Sequence, residues 1–392
     1  MPNATFNKNF LVPNTTLYSL KREGGSNRWI TNVPQLHDGK SVITSAPTLE
    51  QVAENLGKIT ANQDKKSHIV RSPQLTITQD GYLAVENSGE VMVLTFTALN
   101  QLMKPLAPTS GRQTLAWLEA LNQNGGKEFL KLVNSLLRTT AWKNRVIRSA
   151  RTLIKGTPTR IAYGITSKKD YHVFDGEDMC EALVGLGDLQ VQSLTLTRTD
   201  FDIRITQPMD SELSKQEMLH VPVHGFNGRT NFVTEGSTFV YLLIQKLICT
   251  NGMRSSVVDG MVSCTHKTPS DVVIDRIGAL KGKQDVDLMD AYINATKVNV
   301  PWDHAETLVE HSMMQNKAPR NTINAVLKNL DAPSNFPRPT VARIADAVTL
   351  TAHENYTSTS QFLLEDMGRN FIEEFKTQDV VESRVAELVQ TK

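Results

Sequence analysis

Between Phe129 and Lys169 the chain carries ten cationic side chains and no acid: Lys131, Arg138, Lys143, Arg145, Arg148, Arg151, Lys155, Arg160, Lys168 and Lys169. The whole chain has a formal net charge of only +1, so the remainder is net acidic. A field of that sign, concentrated in one stretch, attracts polyanions and speeds their encounter. Nucleic acid is the polyanion such a stretch fits best. Arg145, Arg148, Arg151 and Lys155 are spaced three, three and four apart, which places them on one face if Asn144–Lys155 is helical. Ile147, Ala150 and Ile154 would then share the opposite, core-facing side. The expected contact set is Arg138, Trp142, Lys143, Arg145, Arg148, Arg151, Lys155 and Arg160. Trp142 belongs to it because bases of a single strand stack on aromatic rings.

Other residues that could do chemistry are sparser. Gly125-Gly126-Lys127-Glu128 lacks the upstream glycine and the Ser or Thr after Lys that a phosphate-cradling loop needs. Cys249, Cys264 and His266 do not follow structural-zinc spacing and leave a fourth ligand missing. Asp285, Asp287 and Asp290 lack the glycine and terminal glutamate of a calcium loop, so a solvated helix face or helix start explains them better. No serine sits in a Gly-x-Ser-x-Gly elbow, and nothing else amounts to a catalytic signature. The expectation is therefore a binding protein without cofactor or metal. A metal-dependent nuclease built on the Asp285 cluster and a virion structural protein stand as lesser alternatives.

The 392 residues suffice for two domains, or for one large domain with a helical appendage. Lys8 and Asn9 interrupt any apolar start, so no signal peptide is expected. The longest apolar run, Phe239–Ile244, is too short to span a bilayer. Three cysteines, Cys180, Cys249 and Cys264, fit a reducing compartment. No membrane partner and a cytoplasmic location follow as expectations.

The elements that must carry these residues read as an α+β protein, a central mostly antiparallel sheet with packed helices and a helical C-terminal region. Residues 1–46 read as an extended arm with short strands, 47–269 as the α+β core and 270–392 as the helical region. Pro47–Leu56 has helical apolar spacing and Gly57 as its expected cap. Residues 67–93 alternate as strands around Asp80-Gly81. Phe96–Met103, Leu115–Leu121 and Glu128–Leu137 are predicted helices, and Arg160–Thr166 a strand. Glu177–Leu186 is a predicted helix closed by Gly187. Val191–Thr197, Phe201–Ile205, His220–His224 and Phe239–Ile248 are predicted strands, with a turn at Gly225-Phe226-Asn227-Gly228. Residues 271–392 hold 13 Lys and Arg against 18 acids, 13 − 18 = −5. Gln361–Phe375 is expected to be amphipathic, with Phe362, Leu363, Phe371 and Phe375 apolar and Glu365, Asp366, Glu373 and Glu374 on a charged outer face that could meet the basic surface of a neighbouring protomer; the alternative is that these helices complete the same core.

Several segments resemble a phage- and plasmid-encoded family catalogued as domain of unknown function 932. They are Ala98-Leu99-Asn100-Gln101-Leu102, Arg160–Ser167 followed by Tyr171–Asp178, Leu247–Met253 with its Cys249-Thr250-Asn251 core, and, loosely, Cys264-Thr265-His266. The resemblance covers about residues 95–270. It implies a phage or mobile-element gene working inside a bacterium, and no settled activity. With the basic stretch, it points to a single-strand-preferring DNA-binding protein, a homo-oligomer accessory to replication or recombination. Annealing would need no nucleotide hydrolysis. The alternative is a non-catalytic interaction protein that inhibits or redirects a host factor.

Overall fold

Strict alternation in Phe201-Asp202-Ile203-Arg204-Ile205 puts three apolar side chains on one face of a strand, and all three are fully buried. That pattern repeats along the chain and builds two sheets. The computed structural model describes residues 11–12, 16–22, 29–32, 40–43, 47–61, 64–79, 81–104, 127–139, 144–154, 157–167, 171–197, 200–207, 222–231, 237–247, 254–280, 286–331, 339–352 and 358–390. The strands are β1 (Leu11–Val12), β2 (Thr16–Arg22), β3 (Trp29–Asn32), β4 (Lys40–Ile43), β5 (Lys66–Val70), β6 (Leu75–Ile77), β7 (Leu83–Val85), β8 (Glu90–Thr95), β9 (Arg145–Ile154), β10 (Thr157–Ser167), β11 (Gln190–Thr197), β12 (Asp200–Thr206), β13 (Pro222–Asn231), β14 (Ser237–Leu247) and β15 (Arg254–Thr265). The helices are α1 (Leu49–Ala61), α2 (Phe96–Met103), α3 (Lys127–Thr139), α4 (Gly176–Val184), α5 (Ser270–Gly278), α6 (Val286–Ala295), α7 (Trp302–Gln315), α8 (Arg320–Asp331), α9 (Val341–Ala352), α10 (Ser358–Glu374) and α11 (Gln378–Gln390). The protein is α+β, with its helices concentrated at the C-terminal end.

The first sheet is mixed, in the order β5-β9-β10-β8-β7-β6, with β1 also joined to β8. One face packs on α2 and α3 through Met92, Leu94, Leu99, Leu102, Val133, Leu137 and Ile147. The second sheet is antiparallel throughout, in the order β15-β14-β13-β12-β11-β2-β3-β4. Its apolar face packs on α1, α4 and α5 through Leu20, Leu56, Leu183, Phe201, Ile203, Phe226 and Ile277. The segment read as an extended arm thus supplies three strands of this sheet. The buried apolar side chains of α6 to α11 form a cluster of their own.

Three readings of the sequence are corrected. Asn144–Lys155 is not a helix: Arg145–Ile154 is strand β9, paired with both β5 and β10. The physical reason is that its apolar residues satisfy two periods at once. Ile147, Ala150 and Ile154 fit a helical face, while the β-branched Val146, Ile147, Thr152 and Ile154 favour a pleated one. Pairing on both edges decides between them. Ile154 pairs with Thr157, so only Lys155-Gly156 separates β9 from β10, a hairpin spacing visible in the sequence. Second, Gly225–Gly228 is not a turn but the middle of β13. A Cβ on Gly228 would lie 2.8 Å from Met179 Sδ, so glycine there lets α4 approach the sheet closely. Third, α1 does not stop at Gly57 but runs to Ala61, burying Ile59. The predicted helix Leu115–Leu121 lies outside the described residues.

Candidate nucleic-acid interface

Strand period, not helix period, decides where the arginines of β9 point. Arg145, Ile147, Ser149 and Arg151 alternate onto the face that meets α2 and α3, while Val146, Arg148 and Ala150 share the other. The single arginine face expected for a helix is therefore split: Arg148 is opposite to Arg145 and Arg151.

Arg160 is drawn inside. It faces Arg151 across the β9–β10 ladder, and its side chain is only 6% exposed. Its Nη2 donates to Asp64 Oδ2 at 2.5 Å, its Nη1 donates to Ser149 Oγ at 3.2 Å, and its Nε lies 3.3 Å from Glu90 Oε2. Glu90 is a hub: Lys66 Nζ is 3.3 Å from one oxygen and His68 Nε2 is 3.1 Å from the other. Arg151, 62% exposed, lies 3.5 Å from Asp64. Burial tends to raise the Asp64 carboxyl, but the hydrogen bond and charge of Arg160, with Lys66 and Arg151, hold it below the ordinary carboxylate range. Burial lowers the His68 imidazole, Glu90 raises it, and Arg160 and Lys66 lower it further, leaving it below its ordinary value. None of Asp64, Lys66, His68 and Glu90 was among the expected site residues. The only sequence signal was that Arg160 lies mid-strand among apolar neighbours, where a buried charge must find partners.

Arg148 takes a different role. Its guanidinium carbon lies 4.6 Å from the centre of the Tyr171 ring, a cation–π contact. Tyr171 stacks in turn on His266, with ring centres 4.8 Å apart. Nδ1 of His266 lies 3.1 Å from the His172 carbonyl. The bulge in β10 that displaces Tyr163 is braced on both sides: Thr95 Oγ1 donates to the Tyr163 carbonyl, and the Ile165 N–H donates to Gln101 Oε1 at 2.6 Å. Tyr163 lines a cavity of about 40 Å³ between the sheets with Leu17, Leu56, Asp175 and Leu196, space for a few waters. Burial pushes the Tyr163 hydroxyl up to about 12, against the pull of Arg148.

Of the remaining expected contacts, Arg138 is exposed in the last turn of α3 and Arg145 is half-buried. Lys131 is exposed on the same outer side of α3, seven residues before Arg138. Trp142, Lys143 and Lys155 lie outside the described residues, as do Cys249 and Asp285. The structure thus gathers Lys65, Lys66, Arg151 and Arg160 at one end of the β9–β10 hairpin around Asp64 and Glu90, and leaves Arg138 and Arg148 apart from them. Among the described residues, Lys65, which reaches Asp175 at 3.6 Å, Lys66 and Arg151 are the cations there with substantial exposure.

Cys264 is buried with Arg276 Nη1 at 3.6 Å from its sulfur. Among the described residues no group of three His, Cys, Asp or Glu could hold a metal ion. No helix among them is long and apolar enough to cross a membrane. Comparison with known proteins returned no matching family model, curated protein or solved structure.

Proposed function

We propose that this chain is a nucleic-acid-binding protein that prefers single strands and acts as a phage-type accessory to DNA replication or recombination, binding or annealing strands without nucleotide hydrolysis. The observation that carries the reading is the stretch Phe129–Lys169, ten cations without an acid. Neutralisation from outside it is partial: Asp64 and Glu90 engage Arg160 and Arg151, while Arg138 stays exposed. Lys65 and Lys66, from outside the stretch, add charge beside Arg151 at the same end of the hairpin. A phosphate backbone tracking that end would meet Lys65, Lys66 and Arg151 first, which supports contact with the backbone rather than with base edges. Several protomers side by side on one strand would fit the same chemistry.

The test is fluorescence anisotropy with labelled single- and double-stranded oligonucleotides across a salt series. Binding of the single strand should weaken with salt. The double variant Lys66→Glu/Arg151→Glu should reduce the slope of log affinity against log salt by about 0.7 for each phosphate that is no longer neutralised. Salt-independent binding, or none at low salt, would refute the proposal.

A further inference from the structure

The second sheet has a polar face as well as an apolar one. Opposite the buried Phe201, Ile203 and Ile205, β12 presents Asp202, Arg204 and Thr206; β13 presents Asn227 and Arg229 beside them. Such alternation is the signature of a sheet face meant for water or for a polar ligand. Yet this face is closed. Arg204 is 12% exposed, and Asn227 and Tyr241 are almost wholly buried. The group that meets Arg204 is Glu365 of α10, fully buried, with Arg204 Nη2 donating to Glu365 Oε1 at 2.7 Å. The Asn227 amide donates to Tyr241 Oη at 2.8 Å, and Asn227 Oδ1 is buried without a hydrogen-bond partner among the described residues.

Glu365 was expected on a charged outer face; its burial corrects that expectation, and Leu363 is the exposed residue instead. The reason lies in what α10 packs on. Its apolar residues Leu364, Met367, Phe371 and Ile372 belong to the cluster formed by the C-terminal helices. The second sheet's main core is a different cluster, and Tyr241 with Leu243 forms a small one by itself. The junction therefore joins two separate apolar cores through a buried ion pair. Such pairs add little net stability, because desolvation of both charges offsets their attraction. α9 and α10 also pack on β15, and all twelve residues of α9 are buried, so displacing these helices uncovers apolar surface as well as the ion pair.

We propose that α10 and the acidic helices around it form a detachable cover over a second nucleic-acid-binding face, with the Glu365 carboxylate standing where a phosphate of the strand would sit on Arg204. The inference rests on the nucleic-acid reading above. With α10 seated, Asp202, Arg204, Arg229 and Glu365 cancel, 2 − 2 = 0; with α10 displaced the face keeps one positive charge in excess. Arg204 matches a phosphate in the same bidentate manner as a carboxylate. Tyr241 and Asn227 beside it supply a ring for stacking and an amide for hydrogen bonding to a base. The net charge of −5 over 271–392 fits a segment that competes with a polyanion for a cationic surface.

The full-length protein and its Glu365→Gln variant are titrated with fluorescein-labelled oligothymidylate, and hydrogen exchange of the wild-type protein is followed with and without that strand. Glu365→Gln keeps shape and an acceptor for Arg204 but drops the charge. It should bind about tenfold more tightly, and Arg204→Gln added to it should abolish the gain. Saturating the wild type with oligothymidylate should speed exchange of the 358–374 amides. Wild-type binding that Glu365→Gln leaves unchanged, or unchanged or slower exchange in 358–374, overturns the cover and leaves the first reading standing. Absence of binding by both proteins at low salt overturns the two together. A gain toward polyglutamate but not oligothymidylate refutes the nucleic-acid assignment of this face in favour of an acidic protein. If the variant fails to fold, the exchange measurement on the wild type decides alone.

Discussion

Replacing Arg160 with leucine should cost stability and leave nucleic-acid contact intact. The side chain is only 6% exposed and holds Asp64, Glu90 and Ser149 together. Severing a buried ion pair typically costs about 3–5 kcal/mol, because the remaining charge is stranded. Here the cost is smaller. Asp64 is 46% exposed, so water takes over its solvation. Glu90 keeps Lys66 and His68, and Ser149 Oγ stays hydrogen-bonded to His68. What remains is one weakened, half-buried carboxylate and one missing donor, about 2 kcal/mol. Unfolding entropy of about 2.1 cal/mol/K per residue over 392 residues is roughly 0.8 kcal/mol/K, so Tm should fall by about 2–3 °C if the chain unfolds as a unit. Differential scanning calorimetry measures this, with Arg138→Leu as an exposed control expected to leave Tm within about 1 °C. An unchanged Tm together with abolished oligonucleotide binding would refute the reasoning and make Arg160 a contact residue.

Other outcomes follow from the same geometry. The His68 imidazole is held below its ordinary value in the folded protein, so its neutral form favours folding. That contribution is fully present above the unfolded pKa of about 6.5 and is lost as pH falls through the folded value; urea midpoints between pH 7.5 and 5 should fall less for His68→Gln than for wild type. At Gly368 a Cβ would lie 2.6 Å from Thr349 Cγ2 in the contact between α9 and α10, and Thr349 is β-branched and buried. Gly368→Ala should therefore destabilise by about 1–3 kcal/mol in urea titration. Gly57→Ala, with nothing within 4 Å of the new Cβ, should stabilise by about 0.4–1 kcal/mol. Burial and the nearby Asp175 and Glu177 push the Cys180 thiol up to about 12. Alkylation of folded protein at pH 8, read by peptide mass spectrometry, should leave Cys180 unmodified while denatured protein reacts fully.

The sequence alone determined the elements whose signal is local. Phe96–Met103 emerged with both ends correct, because Thr95 caps it and the apolar stripe stops before Pro105. Phe201–Ile205 and Val191–Thr197 were legible because their alternate residues, among them Leu194, Leu196, Phe201, Ile203 and Ile205, are apolar and turn to one buried face. The concentration of ten cations without acid is likewise a property of the chain. Tertiary structure decided which way those cations point. Arg145–Ile154 carries apolar residues compatible with both 3.6 and 2 residues per repeat, and only pairing with β5 and β10, made by residues distant in sequence, selects the strand. That selection turns Arg148 onto Tyr171 and hands Arg160 to Asp64, 96 residues earlier. Glu365 shows the same limit from the other side. On its helix it reads as an acid of the outer face, and only the partner 161 residues away, Arg204 on β12, makes its burial tolerable. Periodicity reports the faces of one element; which face meets another element, and so which charge is buried, is set by contacts that no local window contains.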